Sequence, residues 1–189
     1  MTPSVSIITP TLDSRIQYHD RLQRMVADQD YPNIISNHFV FGNESIGNKR
    51  NSACRDSLGD IIVCFDDDDI YPPDYVSNVV AALRDADISG LSKCFFYDIN
   101  LRQAYSYEFR GTNYVIESGM AFRKSLWQFK PFADVRTGEG GGFQQGYLVK
   151  PIESPMIATL HGGNTSSHLT RLNKITLKTI TDLPIFAYL

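Results

Sequence analysis

The chain has 189 residues, 42% of them apolar and 12% aromatic. That suffices for a buried core in one domain and excludes a disordered or low-complexity chain. Lysine and arginine total 18 against 21 acids, a net charge of −3, which argues against a dedicated nucleic-acid partner.

Val5-Ser6-Ile7-Ile8-Thr9 is a β-branched run stopped by Pro10 and predicts a first strand. Tyr18, Leu22, Met25, Val26 and Gln29 follow at helical spacing, with Asp13 and Ser14 as cap candidates. Residues 34–41 read as a second strand, and 48–57 as a short helix closed by Gly59. Residues 60–65 form a nearly continuous apolar run, the pattern of a central parallel strand buried on both faces. Pro72-Pro73-Asp74 opens a helix whose apolar face is Val76, Val79, Val80 and Leu83. The first ninety residues thus read βαβαβα and predict a parallel sheet with right-handed crossovers.

The second half changes character. Residues 93–97 and 104–109 read as a hairpin turning at Asp98-Ile99-Asn100. Residues 118–123 suggest another strand, followed by a short helix near Leu126 and Trp127. Residues 136–146 are glycine-rich and read as a mobile or ligand-facing loop. Residues 157–160 form a last strand running into His161-Gly162-Gly163-Asn164. No repeat or linker divides the chain, so 1–189 reads as one domain. Its apolar end, 183–189, fits either a docked terminus or a cut inside a longer protein. The three cysteines, Cys54, Cys64 and Cys94, lack metal-ligand spacing and read as buried free thiols in a reducing compartment. No apolar run reaches bilayer-spanning length, and the N-terminus has no signal-peptide character. The expectation is a soluble, cytoplasmic protein.

The chemistry gathers in Asp66-Asp67-Asp68-Asp69, directly after the buried strand. Open α/β sheets bind ligands at the carboxyl ends of their parallel strands. Adjacent carboxylates repel and are costly to desolvate unless a cation compensates. In an extended segment Asp66 and Asp68 share a face. Two convergent carboxylates suit a hard divalent cation, Mn²⁺ or Mg²⁺, with positions left open for phosphate oxygens. The plain alternative is a solvated acidic turn capping the next helix, a role that suits Asp69.

These segments, in this order, resemble family 2 glycosyltransferases of the GT-A fold. The stretch from Ile61 to Val76 resembles the DXD region; Val5 to Arg15, the first strand and nucleotide loop; Asn48-Lys49-Arg50-Asn51, the Arg-Asn segment. Ser118-Gly119-Met120-Ala121-Phe122-Arg123 resembles the segment before the acceptor site, and Gly138-Glu139 falls at the Glu-Asp catalytic motif. The resemblance implies an α/β, Rossmann-like GT-A fold: a mostly parallel central sheet flanked by helices, with a smaller antiparallel element in the C-terminal half. It implies a nucleotide-sugar-binding half, 1–97, and an acceptor and catalytic half, 98–189. The implied activity is metal-dependent, inverting transfer from a nucleoside-diphosphate sugar, a UDP-sugar such as UDP-glucose, to a glycan or other hydroxyl acceptor.

By that resemblance Asp68 is a metal ligand. Asp66 is a second ligand or, with Asp67, a partner of ribose hydroxyls. Thr9, Pro10, Thr11 and Asp13 line the base and ribose pocket, with Gly119 nearby, and Arg50 contacts the nucleotide. His161 is the candidate third metal ligand, its glycines allowing close approach to the diphosphate; His19, His38 and His168 read as structural. An inverting transfer needs a base near the acceptor hydroxyl. Glu139 is the catalytic candidate, either as that base or as a positioning carboxylate, because the usual Asp after it is Gly140. Gly42-Asn43-Glu44 stands where many relatives carry an Asp pair, which leaves uridine to Asp13, Asn43 or backbone groups. Two rival readings are a catalytically degenerate nucleotide- or glycan-binding module and a metal-dependent phosphatase. A phosphatase motif usually follows the first strand with Thr or Val two residues on; here it follows the third, with Ile70.

Overall fold

The computed structural model describes residues 2–109, 113–162, 164 and 172–189. In chain order these form β1 (Val5–Pro10), α1 (His19–Ala27), β2 (Ile34–Val40), α2 (Ile46–Asp56), β3 (Ile61–Cys64), α3 (Tyr75–Ala82), β4 (Ile88–Leu91), β5 (Lys93–Asp98) and β6 (Gln103–Glu108). There follow β7 (Ala121–Arg123), α4 (Lys124–Phe129), α5 (Glu139–Gln144), β8 (Val149–Ile152), β9 (Ile157–Leu160), β10 (Asn173–Ile175) and α6 (Leu177–Thr181).

A six-stranded sheet runs β2-β1-β3-β7-β4-β8. β1 is parallel to β2 and β3, as the βαβαβα reading requires. β7 is antiparallel to β3 and β4, and β8 returns parallel to β4. A four-stranded sheet, β10-β6-β5-β9, is the smaller, mainly antiparallel element. Its expected hairpin forms at Asp98, whose Oδ1 accepts from Asn100 N (2.9 Å) and Leu101 N (2.8 Å).

Strand periodicity divides the core. Val5, Ile7, Ile61 and Val63 face one side of the large sheet, packed with α1, α3 and the small sheet. Ile8, Ile62 and Cys64 face the other, packed with Ala53 and Cys54 of α2 and Phe143 of α5. Each such side chain contributes about 1.5–3 kcal/mol on full burial, so β3 is held centrally by both faces. Gln29 joins two helices: its Nε2 donates to Pro72 O (2.8 Å) and its Oε1 accepts from Val76 N (3.0 Å). All three cysteines are buried and free, as expected.

Several details depart from the sequence reading. A 3-10 turn, Asp13–Tyr18, separates β1 from α1, and neither Asp13 nor Ser14 caps the helix. α2 starts at Ile46 on the Ser45 side chain and ends at Ser57; Gly59 instead donates its N–H to Ser6 Oγ (2.9 Å). β4 and β8 are short strands without strong signals, and β10 lies beyond the expected last strand. The glycine-rich segment contains α5, anchored by buried Phe143 and Gln144. Gln144 exchanges side-chain hydrogen bonds with the N–H and C=O of Val115 (2.8 and 2.9 Å), which fixes a segment that composition alone would leave loose. The apolar end is docked, with Ile185 buried and Phe186 edge-on to Tyr97. His168 and Gly163 lie outside the described residues.

Candidate active site

A cleft of about 600 Å³ opens where β1 and β3 end, between the two sheets and α5. A larger, open hollow of about 1520 Å³ lies at the opposite edge, beside Ser4, Asn33, Gly59 and Asp60, which precede the strands. The chemistry-bearing residues line the first.

The chain leaves β3 at Cys64 and turns at Asp67-Asp68, and the four carboxylates meet different partners. The expectation that Asp66 and Asp68 share a face rested on an extended segment; the chain instead turns there. The Asp66 carboxylate is the most open of the ion-paired carboxylates in the turn, 36% exposed, and lies 3.3 Å from Arg50 Nη2. Asp67 accepts from Thr11 Oγ1 (2.5 Å) and Arg15 Nη1 (2.8 Å). Asp68 Oδ2 lies 3.1 Å from Arg15 Nη1 and 2.9 Å from His161 Nε2. Asp69 accepts from Ser118 Oγ (2.6 Å) and Thr159 N (3.2 Å), tying the turn to β9. Asp69 is thus a structural link, though not the helix cap of the plain reading. Tyr71 completes the support: its hydroxyl accepts from Asp66 N (2.8 Å) and contacts Ser118 Oγ (2.6 Å).

Burial, then mutual repulsion, sets the electrostatics. Desolvation, only partly offset by Arg50, pushes Asp66 up to about 7. Burial and Asp68 raise Asp67, against the bonds from Thr11 and Arg15. Burial raises Asp69 well above the carboxylate range. Raised carboxyls mean that the side chains present do not fully neutralise the turn. Burial works against the Arg50 charge, but Cys64, Glu139, Asp66 and Glu117 around it hold its pKa above normal.

Arg50 spans the cleft. Its guanidinium is buried and lies 3.0 Å from Glu139 Oε1, at the start of α5, as well as reaching Asp66. Yet among the described residues Nε and Nη1 find no hydrogen-bond partner of acceptable geometry. Burial, then the nearby Glu117, raises Glu139, with Arg50 opposing. Lys49, beside Arg50 on α2, donates its Nζ to Thr11 O.

Most sequence-predicted residues converge here. Pro10, Thr11, Arg50, Asp66, Asp67, Asp68 and Glu139 line the cleft, and His161 joins them through Asp68. Thr9, Asp13 and Gly119 do not line it. Thr9 is buried within β1, and Asp13 is exposed on the 3-10 turn. Gly119 has a packing reason: at φ +90° it donates its N–H to Cys64 O (2.7 Å), and a Cβ there would fall 2.1 Å from the Tyr75 hydroxyl oxygen. Asn43 is exposed outside the cleft, which Glu44 lines instead. The sequence reading passed over Arg15 and Lys49 as site residues, and missed Glu117 altogether. A basic residue soon after β1 and another beside Arg50 were visible signals for the first two. Glu117 had none.

The donor set has the chemistry of a hard-cation site: carboxylate oxygens with uncompensated charge, and an imidazole. Among the described residues, no group of three or more His, Cys, Asp or Glu side chains is arranged as a ready-made metal site. Arg15 and His161 take up Asp68 in the arrangement described.

The fold is of the GT-A type. The glycosyl transferase family 2 profile matches residues 18–133, more than half the chain, and the chain belongs to that family. No curated protein matches the sequence. Among solved structures, TarS residues 1–349 from S. aureus, in complex with UDP-GlcNAc, matches with a TM-score of 0.66 at 15% identity, over 86% of this chain and 60% of that one. The same protein with UDP matches at 0.63, 15% identity, over 83% and 60%. The mannosyltransferase PcManGT from Pyrobaculum calidifontis, in complex with GDP-Man and Mn²⁺, matches at 0.62, 16% identity, over 87% and 59%. At such identities the likeness is one of fold. The chain spans about 60% of the length of the first of these structures. Among the described residues, no helix is long and apolar enough to cross a membrane.

Proposed function

We propose that the protein transfers a sugar, with inversion, from a UDP-sugar to a hydroxyl on a glycan or similar acceptor, working as one domain with a donor half (1–97) and an acceptor half (98–189). The observation that carries this reading is the acidic turn at the end of β3, facing Arg15, Lys49 and Arg50 across one cleft. Such a site offers cationic side chains to phosphate oxygens and acidic ones to a metal and to ribose. The family and the nucleotide-sugar complexes of the matched structures support the donor class.

Asp68 and Asp66, with His161, would hold Mn²⁺ or Mg²⁺, which would supply Lewis-acid stabilisation of negative charge on the diphosphate. Pro10 and Thr11 line the nucleotide pocket, and Asp67, fixed by Thr11 and Arg15, faces the ribose. Arg50 and Arg15 orient the diphosphate. Glu139 holds Arg50 from the acceptor side and is the carboxylate of the catalytic end. The buried free thiols suit a reducing, cytoplasmic setting.

Calorimetry of UDP binding with Mn²⁺, then with excess chelator, tests this reading. Saturable binding that the chelator abolishes is expected. No binding in either condition overturns the UDP assignment, and GDP and dTDP are then the nucleotides to titrate. Turnover of a phosphate monoester without any nucleotide sugar overturns the transferase reading itself.

A further inference from the structure

We propose that Glu117, not Glu139, takes the proton from the attacking acceptor hydroxyl, and that Glu139 is a positioning residue for Arg50. This rests on the transferase reading above and deepens it.

The argument begins with the two carboxylates at the α5 end of the cleft. Both Glu117 and Glu139 line it. They differ in their partners. Glu139 is 3% exposed and sits 3.0 Å from the buried Arg50 guanidinium. That pairing commits the Glu139 carboxylate to the guanidinium, so it is already engaged when an acceptor hydroxyl enters. Glu117 is half-buried, and among the described residues no cation lies within ion-pair distance of its carboxylate. It therefore faces the cleft without a competing cation, close enough to add to the field around Arg50 and Glu139.

Gly140 shows how closely Glu117 is fitted to α5. A Cβ built on Gly140 would lie 2.1 Å from Glu117 Cγ and 3.0 Å from both Cδ and Oε1. No residue larger than glycine fits there while Glu117 keeps its place. A side chain growing from position 140 would run along the path Glu117 occupies, so the carboxylate sits where an acidic residue on α5 would present its own. Glu117 thus enters from the segment before β7 and fills that position from the other side. Tyr114 backs it: burial first, and then the adjacent Glu117 carboxylate, push that phenol up, so it stays protonated as a donor.

The step balances simply. The acceptor oxygen forms a bond to the anomeric carbon, and its proton passes to Glu117. The bond from the anomeric carbon to the diphosphate oxygen breaks, and its electron pair leaves with UDP.

The test follows UDP release from UDP-GlcNAc, UDP-glucose and GDP-mannose with Mn²⁺, water serving as acceptor, alongside calorimetry of UDP and thermal melting. Glu117→Gln keeps the side chain's shape. It is expected to keep UDP affinity, donor KM and Tm while kcat falls about 100-fold or more. Glu117→Ala combined with Gly140→Asp clears the clash and supplies a carboxylate from α5. It is expected to release UDP at least tenfold faster than Glu117→Ala alone. A loss below tenfold in Glu117→Gln overturns the proposal. So does an equal loss accompanied by raised KM and lowered Tm, the mark of a structural role. A wild-type chain that binds UDP but releases nothing keeps the donor site and removes the assigned base. A wild-type chain that neither binds nor turns over any of these donors overturns both readings.

Discussion

The two ends of the cleft are assembled in different ways. At the acidic-turn end, Thr11, Arg15 and Asp67 come from the first and third strand-to-helix connections, and parallel pairing of β1 with β3 brings those connections side by side. At the α5 end, Glu117, Glu139 and Arg50 come from segments with no shared sheet register, and the contact depends on α5 docking against the core through Phe143 and Gln144. Sheet pairing places the first end almost automatically. The second end is only as well placed as the packing of one short, glycine-rich helix. Arg50 belongs to both, since it reaches Asp66 at one end and Glu139 at the other.

The largest separation of the two ends is expected from Asp68→Ala. Loss of this carboxylate should abolish metal-dependent UDP binding, a drop of roughly 100-fold or more in affinity, about 2.7 kcal/mol, read by calorimetry with and without chelator. The fold should persist, because Arg15 keeps Asp67. Unchanged UDP affinity would show that the turn is only structural. Glu139→Ala probes the other end. It leaves buried Arg50 with Asp66 alone, and stability should fall by about 3 kcal/mol, as for a broken buried pair. UDP binding and sugar transfer should both weaken as Arg50 loses its fixed position; wild-type values for both would sever Glu139 from the site.

A smaller effect tests the packing beneath the boundary between the ends. Gly119→Ala forces a side chain at φ +90° toward the Tyr75 hydroxyl, and should cost about 2 kcal/mol by denaturant titration. A neutral result would mean that the segment before β7 shifts freely, and would weaken any role for neighbouring Glu117. The smallest is Ser45→Ala. The Ser45 hydroxyl accepts from Asn48 N at 3.0 Å, and losing this cap from the helix that carries Lys49 and Arg50 should cost about 1 kcal/mol in thermal melts.

Much of the molecule was legible in the residues. The apolar run after Asp60 specified a strand buried on both faces, and parallel strands of this kind put their ligands at the carboxyl end. Four consecutive aspartates there announce charge chemistry. Asp68 and His161, both named through the family resemblance, lie 2.9 Å apart. Other features were hidden for physical reasons. β4 and β8 are too short for a periodic signal, and their pairing with each other and with β7 is set by long-range register. α5 runs against propensity: three successive glycines disfavour a helix, and tertiary contacts hold it, the burial of Phe143, the Gln144–Val115 bonds and the Glu139–Arg50 pair among them.

What the sequence determined by itself is the strand–helix alternation of the first half, the position of the acidic turn and the family. These are local: each depends on side-chain periodicity or on contiguous residues. What the tertiary structure alone decided is how the charges are shared. It gave Arg15 to Asp67 and Asp68, split Arg50 between Asp66 and Glu139, and turned Gly119 from a binding candidate into a packing glycine. It also brought Glu117 onto Gly140 across two segments that share no motif. Such pairings are fixed by distances of a few ångströms between residues far apart along the chain, and no local pattern encodes them.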